Sequence, residues 1–237
     1  MINSCQNKVY KKTRKRFYHG EFLKNFACYY SYKEKLDILD IGCGNGDLSF
    51  YLSNKFINSK FYGIDYDKNN IKFANRKSKL LNKKKQLSFK NINFRKFKTK
   101  KKFDIIVAAG FLGYFDDFKN PLNKMIKLIN PNKGKIYLFG DFNSSGIDKI
   151  IKLRNNNIKE NNWMTGLSSY STESIKRHLK KKKYHLRVKK FYLPKNIGNQ
   201  NSDPMRSISR LLNGFGRITF NKANLIFDFQ TLIISKK

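Results

Sequence analysis

The residues best placed to do chemistry lie in two short segments. Asp40-Ile-Gly42-Cys-Gly44-Asn-Gly46 follows an apolar run at 36–41, and a second apolar run, Phe61-Tyr-Gly-Ile, ends in Asp65. Glycines at alternate positions let a ligand rest against bare main chain where a helix begins and its first N–H groups point outward. The spacing narrows the ligand. A dinucleotide loop of the form G-x-G-x-x-G requires glycine at 47, where this chain has Asp47; its third glycine arrives one residue early, at 46. An acid two residues before the first glycine suits a ligand that carries positive charge better than a pyrophosphate. Asp65, nineteen residues beyond Gly46, can accept both hydroxyls of a ribose.

These residues need strands that end beside one another. Apolar runs at 36–41, 60–64, 87–91, 104–109 and 135–139 predict buried strands, and helical spacing predicts helices at 47–56, 68–81 and 121–129. Such alternation points to a parallel sheet covered on both faces. Beyond Gly140 the pattern changes to an Asn-rich stretch at 155–162, a helix at 172–182 capped by Ser171, and two late strands at about 185–193 and 225–235. The connection between those strands, 194–224, holds Gly198, Asp203-Pro204, Gly214 and Gly216, and connections of that length are functional or disordered. Phe17, Phe22, Leu23 and Phe26 stand at helical spacing, so residues 1–35 are expected to form a helical N-terminal lid. Residues 36–237 then form one domain, with substrate-facing insertions at about 141–170 and 194–224.

From about 36 to 140 the chain resembles the class I S-adenosylmethionine (SAM)-dependent methyltransferases, whose first motif, D/E-x-G-x-G-x-G, is matched by Asp40 to Gly46. The resemblance implies an α/β, Rossmann-like three-layer sandwich with a mostly parallel seven-stranded sheet and an antiparallel C-terminal strand. It implies SAM as cofactor, held by Asp40, Gly42, Gly44 and Gly46, with Asp65 on the ribose and Tyr66 near the adenine. Asn91 stands where the family commonly has an acid that contacts the adenine amino group, and Ile92 follows it. Ala109, in Phe103-Asp-Ile-Ile-Val-Ala-Ala-Gly110, would border the methyl donor. SAM has an ammonium, a sulfonium and no pyrophosphate, which agrees with the acid at 40.

The acceptor side carries fewer signals. A sulfonium is an activated leaving group, so orientation and exclusion of water can supply much of the rate, and no base is obligatory. Should a hydroxyl be methylated, His19, His178, His185, Asp116 and Asp117 could take its proton; each could equally be a surface side chain, and no catalytic residue is assigned. Ala109-Gly110-Phe111-Leu112 occupies the place of an Asn-Pro-Pro-Tyr motif, and no cysteine stands where a cytosine C5 enzyme places its nucleophile. Tyr18, Trp163 and Arg206 are candidate substrate contacts. Arg206 could clamp a carboxylate or phosphate, or hold its own loop through Asp203; Trp163 could wall an acceptor or pack in the core. The C-terminal third resembles, by analogy alone, uncharacterised bacterial methyltransferases of surface-polysaccharide or small-metabolite modification. The expectation is methyl transfer to a small anionic metabolite or a glycan or lipid precursor, at oxygen; the alternative is an RNA methyltransferase.

Composition bounds these readings. The 237 residues, 40% hydrophobic with 21 Phe and 13 Tyr, suffice for one substantial core. A net charge of +35 invites a nucleic-acid partner, yet the cations are spread along the chain, with runs at Lys83-Lys84-Lys85, Lys100-Lys101-Lys102 and 180–183 expected at helix ends and loops. Cys5, Cys28 and Cys43 form no metal-ligand or disulfide pattern. No apolar run has the length of a membrane span, and a cytoplasmic location is expected. Oligomeric state leaves no trace in the sequence.

Overall fold

A computed structural model describes residues 17–154, 162–166, 168–191, 208–214, 216–220, 225–226 and 229–236. Arg206, Asp203 and Gly198 lie outside the described residues. In chain order the main elements are α1 (Phe17–Ala27), β1 (Asp37–Ile41), α2 (Asp47–Ser53), β2 (Lys60–Asp65), α3 (Lys68–Leu80), β3 (Leu87–Asn91), β4 (Ile105–Ala109), α4 (Lys119–Leu128) and β5 (Lys135–Asn143). There follow β6 (Lys152–Leu153), β7 (Met164–Thr165), β8 (Tyr170–Ser171), α5 (Thr172–Lys180), β9 (Tyr184–Lys190), β10 (Ile208–Leu212), β11 (Gly216–Phe220), β12 (Leu225–Ile226) and β13 (Phe229–Lys236).

Seven strands run in the order β3-β2-β1-β4-β5-β13-β9, and short β8 pairs with the end of β5 as an eighth. β13 is antiparallel to both β5 and β9, while β1 to β5 are mutually parallel. This is the mostly parallel sheet with an antiparallel C-terminal strand that the sequence implied. The order reverses between β1 and β4, and in open α/β sheets the crevice at that switch, outside the carboxyl ends of the strands, takes the ligand.

Alternate residues of each strand feed opposite layers. Leu39, Ile41, Ile106, Ile136, Leu138, Leu232 and Ile234 pack with α4 and α5 on one face. Ile38, Ile105, Val107, Tyr137 and Ile233 pack with α1, α2 and α3 on the other. Helix α1 runs antiparallel to the strands. Its Tyr18 ring stacks on Phe139 near the carboxyl end of β5, and beyond its last turn Tyr30 donates its hydroxyl to the carbonyls of Asp104 and Lys133 at the amino ends. Phe22 and Phe26 are fully buried between, each stabilising the layer by about 1.5–3 kcal/mol. The first helix therefore opens at the ligand end of the sheet.

Several boundaries differ from the sequence reading. α2 stops at Ser53 because Phe56 turns inward to complete the core, its N–H on the Leu52 carbonyl. α5 is capped by Ser171 as expected but ends at Lys180, followed by a tri-lysine turn with Lys183 at φ 60°. β5 extends to Asn143, the late strand from about 225 divides into β12 and β13, and the connection after β9 contains β10 and β11, paired antiparallel. Regular pairing survives there although the segment lacks the alternation that would announce it.

Candidate functional site

The glycine loop crosses the carboxyl end of β1. Gly42, Gly44 and Gly46 have φ of 69°, 54° and 80°, a region that costs other residues roughly 1–2 kcal/mol. Gly42 and Cys43 donate their N–H groups to the Ile64 carbonyl at 2.9 and 3.1 Å, and Gly44 donates to Asp65 Oδ2 at 2.8 Å. Asp65 Oδ1 accepts from the Asp67 N–H at 2.8 Å. One carboxylate thus joins the two sequence motifs. Each of its oxygens keeps a lone pair for a ligand hydroxyl. Asp65 is not the cap of α3: Asp67 fills that role, accepting from the N–H groups of Asn69 and Asn70. Phe89 forms the floor, since a Cβ built on Gly46 would stand 2.7 Å from its ring and one on Gly63 only 2.4 Å away.

Asp40, 3% exposed at the end of β1, accepts from the Ser49 hydroxyl at 2.6 Å. Burial pushes its pKa up to about 7; the Ser49 hydrogen bond opposes this and the nearby Asp65 adds to it. Asp65 is also raised by burial, held back by the N–H groups of Asp67 and Gly44. Neither carboxylate has a salt bridge among the described residues. Two buried acids beside bare backbone therefore fit a cationic ligand, whose charge would favour their ionised forms. Burial raises the Cys43 thiol well above its usual range, which leaves it neutral and a poor nucleophile.

The residues expected on the adenine side gather at the ends of β2 and β3. Asn91 donates from Nδ2 to the Asp65 carbonyl at 3.0 Å, which leaves Oδ1 as the acceptor end of its amide. The Ile92 N–H meets the same carbonyl at 2.9 Å and its side chain is half-buried. Tyr66, 60% exposed, stands beside Asp65. Across the switch point Ala109 ends β4, and Gly110, at φ 65°, ties its N–H to the Phe139 carbonyl at 2.7 Å. Asp40, the three glycines, Asp65, Tyr66, Asn91, Ile92 and Ala109 thus line the carboxyl ends of β1 to β4.

Among the candidate substrate contacts, Tyr18 stacks on Phe139 at 4.8 Å between ring centroids, and Phe139 in turn meets Phe229 at 5.5 Å and Phe191 at 5.2 Å. Trp163 is 62% exposed with the Arg154 guanidinium 5.1 Å over its ring, so it is not a core residue. The five possible bases separate. His19 is buried between Tyr18 and Tyr51. His178 lies between helices, its Nε2 2.8 Å from Asn123 Oδ1, its pKa lowered by burial. His185 pairs with Ser235 at the amino end of the sheet, away from the glycine loop. Asp117 accepts from the Lys119 N–H, and Asp116 grips the Lys152 ammonium through both oxygens at 2.6 Å and the Thr165 hydroxyl as well.

Sequence reasoning missed Ser49, Lys152 and Asp141. Asp141 lies two residues past Phe139 on the same face of β5, half-buried and in register with Phe229. A strand predicted to end at 139 leaves it outside the sheet. No spacing rule marks a lone serine or lysine, so only the fold could reveal the other two. Among the described residues no group of three or more His, Cys, Asp or Glu could hold a metal ion.

Residues 32–188 match the family described as methyltransferase domain. Malonyl-[acyl-carrier protein] O-methyltransferase 2 of Ilyobacter polytropus is 31% identical over 122 residues, 52% of this chain and 44% of that protein. Ubiquinone biosynthesis O-methyltransferase of Pelagibacter ubique is 31% identical over 124 residues, 50% of this chain and 49% of that one. The match thus spans just under half the length of either curated relative. An S-adenosylmethionine-dependent methyltransferase of known structure from Clostridium acetobutylicum shares the fold, with a TM-score of 0.62 at 12% identity over 98% of this chain and 99% of that one. With the family match covering most of the chain, and the glycine loop and Asp65 set as its first two motifs require, the chain belongs to the class I SAM-dependent methyltransferases.

Proposed function

We propose that this protein transfers a methyl group from SAM to an oxygen of a small anionic metabolite or of a glycan or lipid precursor. The observation that carries the cofactor half is the pair of buried carboxylates, Asp40 and Asp65, around a loop of left-handed glycines. In this reading Asp40 faces the positive charge of the cofactor, Asp65 accepts the ribose hydroxyls, the Asn91 amide oxygen accepts from the adenine amino group, and Tyr66 flanks the ring. When bound, SAM supplies an electrophilic methyl on a sulfonium.

The chain's own task is then to orient the acceptor and keep water out. The aromatic wall of Tyr18, Phe139 and Phe229 serves exclusion, with α1 as the cap over that face. In this reading Asp141, two residues beyond Phe139 on the same face of β5, takes the proton of a hydroxyl acceptor; an acceptor carboxylate would need no base. Trp163 with Arg154, and Arg206, are the aromatic and cationic contacts proposed for an anionic acceptor. Oxygen is favoured because the two relatives described above are named O-methyltransferases. The absence of an Asn-Pro-Pro-Tyr clamp after β4 supports the same choice.

Incubation of the purified protein with methyl-labelled SAM and a metabolite extract is expected to label a small molecule in a base-labile ester or a stable ether. Label found only in RNA would overturn the acceptor, and no heat of SAM binding in calorimetry would overturn the cofactor as well.

A further inference from the structure

The amino-terminal end of the sheet, opposite the glycine loop, carries exposed aliphatic side chains and exposed lysines on the same three segments. Three loops build it: 31–35 before β1, 53–60 before β2, and 79–86 before β3. Hydrogen bonds hold them as one surface. Asn58 and Ser59 donate to the carbonyls of Lys33 and Glu34, both at 2.9 Å. The Gln86 amide donates to the carbonyls of Ser53, Phe56 and Ile57 at 3.1, 2.9 and 3.2 Å. Lys83 Nζ reaches Asn54 Oδ1 at 2.6 Å, and the Tyr32 ring sits 5.1 Å from that of Phe56.

From this braced surface Ile57 projects 65% exposed and Leu80 75% exposed, with Leu81 and Tyr32 also exposed. The same segments carry the exposed side chains of Lys33, Lys55, Lys60, Lys79, Lys84 and Lys85. The three loops contain one acidic residue, Glu34, whose carboxylate accepts from the Ser31 N–H at 3.2 Å. From Lys68 to Phe103 the sequence has no acid at all. Hydration of lysines explains their exposure but not that of two adjacent leucines and an isoleucine among them. Exposed aliphatic side chains interspersed with ammonium groups fit a surface that is apolar beneath and anionic above.

We propose that this end docks on an anionic lipid bilayer, with Ile57, Leu80 and Leu81 entering the boundary between headgroups and acyl chains and the lysines meeting lipid phosphates. A nucleic acid is the poorer match, because bases stack on flat aromatic rings and gain little from aliphatic tips. The geometry also fixes an orientation. β2 begins at Lys60 in the patch and ends at Asp65 in the cofactor site, six residues that span about 17 Å. The docked protein would hold its cofactor crevice on the aqueous side, so membrane binding and SAM binding should be independent.

Cosedimentation with vesicles of phosphatidylglycerol and phosphatidylcholine, against vesicles of phosphatidylcholine alone, tests this at near-physiological salt. The protein is expected to partition onto the anionic vesicles only. Ile57→Asp combined with Leu80→Asp should weaken that partitioning at least roughly tenfold, and Lys84→Glu with Lys85→Glu by about fivefold per lysine or more. Calorimetry should find SAM affinity unchanged in both variants, which shows that they fold and separates this proposal from the proposed activity. No preference for anionic vesicles, or full binding by the Ile57 and Leu80 variant, overturns the proposal. So does binding of an RNA oligonucleotide without vesicle binding, which would assign the lysines to a nucleic acid.

Discussion

The two sides of the switch point are built from different kinds of bond. Around β1 to β3 the loop is held by main-chain hydrogen bonds and by carboxylates that are themselves buried, so Gly42, Cys43, Gly44 and Asp65 form one braced unit. Beyond β5 the chain leaves the sheet for the paired short strands β6 and β7, fastened by exposed side chains, with Lys152 and Thr165 on Asp116 and Arg154 over Trp163. Backbone bonds among buried groups tolerate little change, because every loss leaves an unsatisfied polar atom. Exposed ion pairs contribute little and can be exchanged. The braced side suits a ligand that stays the same, and the fastened side one that varies.

The largest expected break in this contrast comes from glycines. Gly46→Ala places a methyl 2.7 Å from Phe89 at a φ of 80° and should lower stability by about 2–4 kcal/mol in chemical denaturation. Gly110→Ala, across the switch point at φ 65° with nothing within 4 Å of its Cβ, should lose only about 1 kcal/mol. Equal losses would mean that the two sides are equally tight.

A smaller effect is expected where the loop meets the ligand. Asp65→Ala removes the acceptor of the Gly44 and Asp67 N–H groups and the proposed ribose partner, so calorimetry should show SAM binding weakened roughly 10- to 100-fold. Retained affinity would remove Asp65 from the site.

Asp40 offers a pH test. Its pKa rises from 3.8 to about 7 on folding, so the unliganded fold holds this proton tightly. The resulting increment of stability is complete near pH 4 and fades as pH climbs through about 7. Binding of a cation runs the other way and should strengthen between pH 6 and 8, by about tenfold at most, with release of a proton. Ser49→Ala deletes the hydrogen bond that opposes the rise and should shift this profile to higher pH. A flat profile would show that Asp40 does not face the charge of the cofactor. Smallest of all, Lys152→Ala should leave SAM affinity unchanged and only speed proteolysis of the hairpin it fastens.

The same contrast explains what could be read from residues alone. Glycine at 42, 44 and 46 is legible because left-handed backbone and close approach exclude other residues, and Asp65 is legible by its place at the end of a buried strand. The parallel, helix-covered sheet is legible in apolar runs separated by helical spacing, whereas its strand order comes from the structure. The acceptor side is written in residues that many structures allow. Asp116 and Lys152 are ordinary surface residues until the fold brings them together, and β10 and β11 lack the strict alternation of a half-buried strand. The end of β5 is hidden in the sequence because Gly140 and Asp141 look like the start of a turn, although Gly140 pairs with Gln230 inside the sheet.

Phe89 has an evolutionary consequence. Its ring fills the space that a side chain at Gly46 or at Gly63 would need, so the three positions cannot drift separately. A lineage that shrinks Phe89 first opens a cavity and is penalised; one that enlarges Gly63 first collides. Passage requires both steps, and Phe89→Leu should partly rescue Gly63→Ala although each harms the protein alone. The edge strand β3, which looks peripheral in the sheet order, thereby acts as a ratchet on the inheritance of the loop.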